Sequence, residues 1–171
     1  MSPEERRSVA ALARLRQEIG ADRALVARCH DELLGLQAEA ALPSDRSRLV
    51  HLAALVHAYS TGIETLLERV LRQLDGDLPA GERWRESLLV QAEAEIPGVR
   101  PAILDGGLRQ ELDALRRFRH FFRHAYGLDL DAALVHEEAS RLRDVQDPLS
   151  KALDRFDDFL RRSMEDLAGD R

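Results

Sequence analysis

The chain has 171 residues and a formal net charge of −6, with 44% hydrophobic and 33% charged residues. This balance excludes a disordered segment, and the acidic surface excludes a protein that coats nucleic acid non-specifically. Cys29 is the only cysteine, which excludes an internal disulfide and a cysteine-rich zinc site. The charged first residues and the lack of a run of about 18 apolar residues predict a cytoplasmic protein without a signal peptide or membrane span.

The composition favours a single helical domain. Aromatic residues make up only 5% of the chain, whereas Ala, Leu, Arg and Glu are abundant. These residues favour helix over strand, and 171 residues suit one domain with one core. We therefore expect residues 1–171 to form one all-α domain, a bundle of five to six helices built on a long antiparallel helical hairpin.

The first half of the chain predicts that hairpin. Ser2-Pro3 followed by two acids is a typical helix start, and apolar residues then recur at helical spacing to about Ala41. Residues 42–45, Leu-Pro-Ser-Asp, break this helix. A second helix is predicted from about Asp45 to Leu74. Two long helices joined by a short break pack as an antiparallel pair.

Three further helical segments are predicted after a turn-rich linker at 75–81. A short helix from about Glu82 to Glu95 is followed by one from about Gly107 to Tyr126, with Gly127 as its cap. Residues 130–168 are expected to be helical with an interruption near Pro148, where proline would begin a new helix. Neither a glycine-rich phosphate loop nor an internal repeat is present.

The most unusual segment is 116–127, which holds four arginines, two histidines and a tyrosine in twelve residues. The wider stretch 109–124 has a net charge of +3 before its histidines are counted, whereas 129–171 has a net charge of −5. An anionic ligand would therefore be attracted to this one part of an acidic protein.

Arginine and histidine together can cleave RNA. The planar guanidinium matches phosphate oxygens, and imidazole takes or gives a proton near neutral pH. The 2′-hydroxyl attacks its own phosphate, so a metal ion is not required if both groups are well placed. Arg119 and His124, five positions apart, are about 140° apart around a straight helix. They would converge only in a distorted final turn or where the motifs of two chains meet across a two-fold axis, and we favour the dimer.

Residues 119–126 match the Arg-x-x-x-x-His-x-Tyr signature of the HepT-like toxins of the HEPN superfamily, which this chain therefore resembles. Residues 59–64 also resemble the second helix of these proteins. The resemblance implies a helical, usually dimeric endoribonuclease that uses no metal and no cofactor. It also implies an MntA-type nucleotidyltransferase as the antitoxin, which transfers AMP from ATP onto the motif tyrosine. Carried over, Arg119 and His124 are catalytic and Tyr126 is the modification site.

Three further residues of this segment are candidates for secondary contacts to RNA phosphate: His120, Arg123 and Arg116. The simpler alternatives are a surface ion pair of Arg119 with Asp113 or Glu111, a helix-capping His124, and a Tyr126 that anchors an interface. The alternative function is a non-catalytic helical partner that binds a nucleotidyltransferase or a nucleotide.

Outside this segment the residues favour structural roles. Glu64 is interpreted as part of a solvated or ion-paired face, although a polar site opposite the motif is an alternative. Cys29 is expected to be a small core residue, and Trp84 a cap on the bundle. His51 and His57 lack carboxylates at helical spacing, so no metal site is predicted.

Overall fold

The computed structural model describes residues 1–38, 45–124 and 130–169, with side chains for all of these except 119–124. It consists of five α-helices: α1 (Pro3–Ala38), α2 (Arg46–Leu74), α3 (Trp84–Glu93), α4 (Gly106–His124) and α5 (Ala132–Gly169). The predicted all-α bundle is confirmed, at the lower end of the five to six helices expected. None of these helices is both long and apolar enough to cross a membrane.

Helices α1 and α2 form the predicted antiparallel hairpin. Arg69 of α2 pairs with Glu18 and Asp22 of α1, at 3.0 and 2.8 Å. His51, 18 residues earlier in α2, contacts Glu32, further along α1. Later residues of α2 therefore contact earlier residues of α1, which shows that the two helices are antiparallel.

The α2 terminus shows why the chain turns where it does. Asp45 is the N-cap, and its carboxylate accepts hydrogen bonds from the backbone N–H groups of Ser47 and Arg48. This satisfies donors that the first turn of a helix cannot pair internally. The predicted start of the second helix is thus correct to within a residue. Of the break predicted at 42–45 only Asp45 is described, and the end predicted for the first helix at Ala41 lies outside the described residues.

Helix α5 corrects the prediction of an interruption at Pro148. The helix is continuous from Ala132 to Gly169 with Pro148 inside it. Proline removes one backbone hydrogen bond, but it is exposed here, and Val145 and Leu149 on either side are buried in the core. The apolar stripe keeps its helical period across the proline. Packing of this stripe therefore outweighs the local break, and residues 132–169 form one helix rather than two.

Helix α4, which carries the motif, is fixed by its apolar face. It buries Leu108, Leu112, Leu115 and Phe118, which recur every three or four residues, and it packs on α2, α3 and α5. Helix α5 runs beside it and also packs on α1, where Arg16 pairs with Asp157 at 2.7 Å. The orientation of α4 up to Phe118 is thus determined by the core.

The chain after α3 is held by a buried arginine. Arg100 donates to both carboxylate oxygens of Asp75, from Nε at 2.6 Å and Nη2 at 2.7 Å. Its remaining N–H groups donate to the carbonyls of Ala94, Pro101 and Gln91. The Arg100 side chain is 0% exposed and that of Asp75 is 4% exposed. Every nitrogen of this guanidinium is therefore used to fix the end of α2 to the segment after α3.

Candidate functional site

Residues 119–124 of the predicted motif lie on the last two turns of α4. The helix continues to His124, so the backbones of Arg119 and His124 are separated by about 140° around its axis. The side chains of Arg119, His120, Arg123 and His124 lie outside the described residues, and so does Tyr126 with the Gly127 cap. Their roles remain predictions.

Arg116 is the one predicted contact residue whose side chain is described. Its Nε donates to Asp113 at 2.7 Å, and Arg117 approaches the other oxygen of Asp113 at 3.5 Å. Glu111 pairs with Arg141 of α5. The two acids considered as partners of Arg119 are thus each engaged by other arginines.

A narrow cleft lies between α2, α3 and α4, one helical turn before the motif. It is lined by polar and apolar residues of the three helices: Ser60, Ile63, Glu64, Leu89, Leu112, Leu115 and Arg116. The Glu64 side chain is only 8% exposed, and Arg85 donates from Nε to its carboxylate at 3.1 Å. The interpretation of Glu64 as ion-paired is correct, but it is buried rather than solvated.

Sequence reasoning missed the burial of Glu64 and its partner. A signal was present, because Ser60, Ile63, Glu64 and Leu67 lie three or four residues apart on the buried face of α2. A carboxylate on such a face requires a charged or hydrogen-bonded partner. That partner is Arg85, 21 residues away in the sequence and on another helix.

Arg85 also contacts the only tryptophan of the chain. Its guanidinium carbon lies 4.2 Å from the centroid of the Trp84 ring, a cation–π distance. Trp84 is partly buried against the core, which agrees with its expected role as a cap on the bundle. Arg85 is therefore held on two sides, by an aromatic ring and by a buried carboxylate.

A second ionic network ties α4 to α5. Arg141 donates from Nε to Glu138 at 3.1 Å and from its terminal nitrogens to Glu111 and Glu137. Burial raises the pKa of the Glu138 carboxyl, and the charge of Arg141 only partly opposes this. Like Arg100, Arg141 has each of its three nitrogens engaged by the protein.

His57 and Cys29 lie apart from this cleft. His57 and Cys29 line a groove of about 500 Å³ between α1 and α2. Burial raises the pKa of the Cys29 thiol, and the residue packs against the core as expected. Among the described residues, no group of three or more His, Cys, Asp or Glu could hold a metal ion.

Comparison with known proteins identifies the class. The family model of HepT-like proteins matches residues 51–160, from α2 into α5, and leaves α1 outside. Because the match covers more than half of the chain, this protein belongs to the HepT-like family, as its motif predicted. HepT-like proteins are part of the HEPN superfamily of ribonucleases. No curated protein and no solved structure gives a significant match.

Proposed function

We propose that this protein is the toxin of a bacterial toxin–antitoxin pair and a metal-independent endoribonuclease with Arg119 and His124 as its catalytic residues. The observation that supports this most strongly is the intact Arg-x-x-x-x-His-x-Tyr motif at 119–126 of a HepT-like chain, with Arg119 and His124 on the last turns of α4. A module that only binds a partner has no need of this Arg–His pair. The proposed location is the cytoplasm, where the RNA substrate is found.

The proposed reaction is an internal transfer at the phosphate. The His124 imidazole accepts the proton of the 2′-hydroxyl, and the 2′-oxygen forms a bond to phosphorus. The Arg119 guanidinium binds the phosphate oxygens, on which negative charge increases. The bond to the 5′-oxygen breaks and this oxygen takes up a proton, leaving a 2′,3′-cyclic phosphate and a 5′-hydroxyl end. Atoms and charge balance without a metal ion or a cofactor.

A homodimer is part of this proposal. On a continuous helix the two catalytic residues are about 140° apart, so one helix does not bring both side chains to the same phosphate. Two α4 helices related by a two-fold axis would pair Arg119 of one chain with His124 of the other. Light scattering at micromolar concentration should give twice the chain mass, and a monomer that cleaves RNA would contradict this arrangement.

Control by modification is the second part. We infer that an MntA-type nucleotidyltransferase transfers AMP from ATP to the Tyr126 hydroxyl, with release of pyrophosphate. The new phosphodiester is negatively charged and lies two residues from His124, so it would compete with the substrate phosphate for the arginines. The enzyme would be silenced without being unfolded.

Arg119→Ala and His124→Ala test the catalytic assignment. Each should reduce the RNA cleavage rate by at least about 100-fold and abolish growth arrest, because each removes a group that acts on the reacting phosphate. Arg123→Ala and His120→Ala are matched controls of the same residue types on the same helix, and smaller losses are expected for them. Circular dichroism checks that the helices remain. Growth arrest by both catalytic variants would show that the assignment is wrong.

The intact mass tests control by modification. Co-expression with an MntA-type nucleotidyltransferase should add the mass of one AMP to the chain, and peptide mapping should locate it at Tyr126. Tyr126→Phe should remove the added mass and restore toxicity. An antitoxin that neutralises the unmodified chain would indicate control by binding alone. A wild-type chain that binds the nucleotidyltransferase but never cleaves RNA would favour the non-catalytic function.

A further inference from the structure

Two arginines near the cleft between α2, α3 and α4 are each bound through Nε to a carboxylate, Arg116 in the lining of the cleft and Arg85 on Glu64, which lines it. Arg85 is bound through Nε to Glu64 at 3.1 Å, and Arg116 through Nε to Asp113 at 2.7 Å. Among the contacts between described residues, the two terminal nitrogens of each make no hydrogen bond, and the Arg116 side chain is 20% exposed. The Arg85 side chain is 32% exposed. Each guanidinium thus has an anchored stem and terminal N–H groups available for binding.

This arrangement contrasts with that of Arg100 and Arg141. Arg100 and Arg141 use all three nitrogens on protein acceptors. Because Lys151 is the only lysine of the chain, the choice of arginine over lysine carries little information here. The unused donors do carry information, because a guanidinium fixed through Nε presents its two terminal nitrogens as a planar fork, the geometry that matches phosphate oxygens.

The position of the two arginines relates them to the motif. Arg116 and Glu64 line the same cleft, and Arg85 is bound to Glu64, so Glu64 connects the two arginines. Arg116 precedes Arg119 by one helical turn, about 4.5 Å along the α4 axis. Consider an RNA strand that is bound at the motif and runs along α4 toward the N-terminal end of the helix. Beyond the motif, this strand reaches Arg116 and Arg85 next.

The local net charge around Arg85 would not by itself attract a phosphate, because Glu82 and Glu86 flank Arg85 in the sequence. The stacking of Arg85 on Trp84 does contribute, because it fixes the plane of the guanidinium and reduces the rotamer freedom lost on binding. The plane of a fixed arginine also offers a surface on which a nucleobase can stack.

We propose that Arg85, held by Trp84 and Glu64, acts with Arg116 as a second phosphate-binding subsite that holds the RNA strand beside the catalytic motif. The inference rests on the proposed ribonuclease function but assigns residues that the motif does not contain. The ligand is the phosphodiester of a single-stranded RNA, and the subsite lies upstream of Arg119 along α4.

The test uses the full chain and a fluorescein-labelled oligoribonucleotide with 2′-O-methyl groups, which cannot be cleaved because the attacking hydroxyl is blocked. Binding is measured by fluorescence anisotropy over a range of salt concentrations. Arg116→Gln and the double variant Arg85→Gln/Glu64→Gln should each weaken binding by about tenfold. Each should also reduce the slope of log affinity against log salt by about 0.7, the value for one phosphate contact on a single strand.

The double variant removes the buried carboxylate together with its partner, so loss of binding cannot be attributed to an uncompensated charge at Glu64. Arg85→Lys keeps the charge and should recover only part of the affinity, because an ammonium has no planar fork. The matched control is Arg155→Ala on the exposed face of α5, about 35 Å along that helix from its first turn, and it should bind as the wild type does.

Two outcomes separate this inference from the proposed function. If the wild type cleaves RNA while the Arg85 and Arg116 variants bind with wild-type affinity and salt slope, the subsite is wrong and the ribonuclease function stands. If these variants lose RNA binding while Arg119→Ala and His124→Ala still cleave, the subsite stands and the catalytic assignment fails. Weakened binding of ATP with unchanged binding of RNA would overturn the subsite as an RNA site.

Discussion

The two ends of α3 are each anchored by an arginine bound to a carboxylate of α2, but the two arginines are used differently. Beyond the C-terminal end, Arg100 donates every nitrogen to protein acceptors and is excluded from solvent. At the N-terminal end, Arg85 commits only Nε to Glu64 and leaves its terminal nitrogens at the surface. A fully bonded arginine can only stabilise the fold, whereas a partly bonded one can also bind an anion. The difference thus separates a structural end of the bundle from the end that we propose binds RNA.

Arg100→Ala is the strongest way to break this comparison, and it should have the largest effect on stability. Removing one partner of a buried pair leaves the Asp75 carboxylate without its charged donor, and three carbonyls also lose their donors. We expect the free energy of unfolding to fall by about 3–5 kcal/mol. Urea denaturation followed by circular dichroism measures this. An unfolding free energy within about 1 kcal/mol of the wild type would show that the pair does not hold this end.

Arg85→Ala should have an intermediate effect. The buried Glu64 carboxylate loses a charged partner, but the Arg85 side chain is 32% exposed, so water can replace part of the contact. We therefore expect the free energy of unfolding to fall by about 1–3 kcal/mol. The double variant Arg85→Gln/Glu64→Gln should recover most of this loss, because no buried charge remains. A double variant as unstable as Arg85→Ala would mean that packing on Trp84, and not the ion pair, holds the N-terminal end of α3.

Acid should weaken the Asp75 end. Burial on its own raises the pKa of Asp75, but the hydrogen bonds and charge of Arg100, together with Gln91, bring it below its ordinary value. Because the folded pKa lies below the unfolded one, about 3.9, the contribution of the pair is present above that pH and is lost as the pH falls through the folded pKa. Unfolding from pH 6 to pH 3 should therefore show less acid destabilisation in Asp75→Asn than in the wild type. The exposed Asp166→Asn is the control, and the same acid slope in all three proteins would contradict the prediction.

Arg116→Ala should have the smallest effect on stability. Asp113 keeps Arg117 at 3.5 Å, and ion pairs of this partly exposed kind contribute about 1 kcal/mol or less. The change in unfolding free energy should therefore stay below about 1 kcal/mol, although RNA binding falls. This outcome would support the distinction between arginines that stabilise the fold and arginines that bind RNA. A fall in the unfolding free energy as large as that of Arg100→Ala would contradict the distinction.

Most of the helices could be predicted from local patterns. The apolar period located α1, α2 and α4, and the Asp45 cap placed the start of α2 to within a residue. The prediction at Pro148 was wrong because a local rule was applied where buried neighbours on both sides maintain the helix. Of the candidate site, the motif and its position on α4 could be predicted, and its catalytic roles stay predictions. The Arg85–Glu64 contact could not, because its partners lie on different helices.

The sequence by itself determined the helical class, the antiparallel hairpin and the family, since these depend on periodicity, caps and a short motif within one helix. Only the tertiary structure decided which arginines are fully bonded and which keep donors for a ligand. The local sequence does not distinguish Arg85 from Arg100, because each has acidic residues within five positions on both sides. Their difference arises because Asp75 and Glu64 are brought to them by packing across 25 and 21 residues, and burial then sets how many of their nitrogens remain in contact with water.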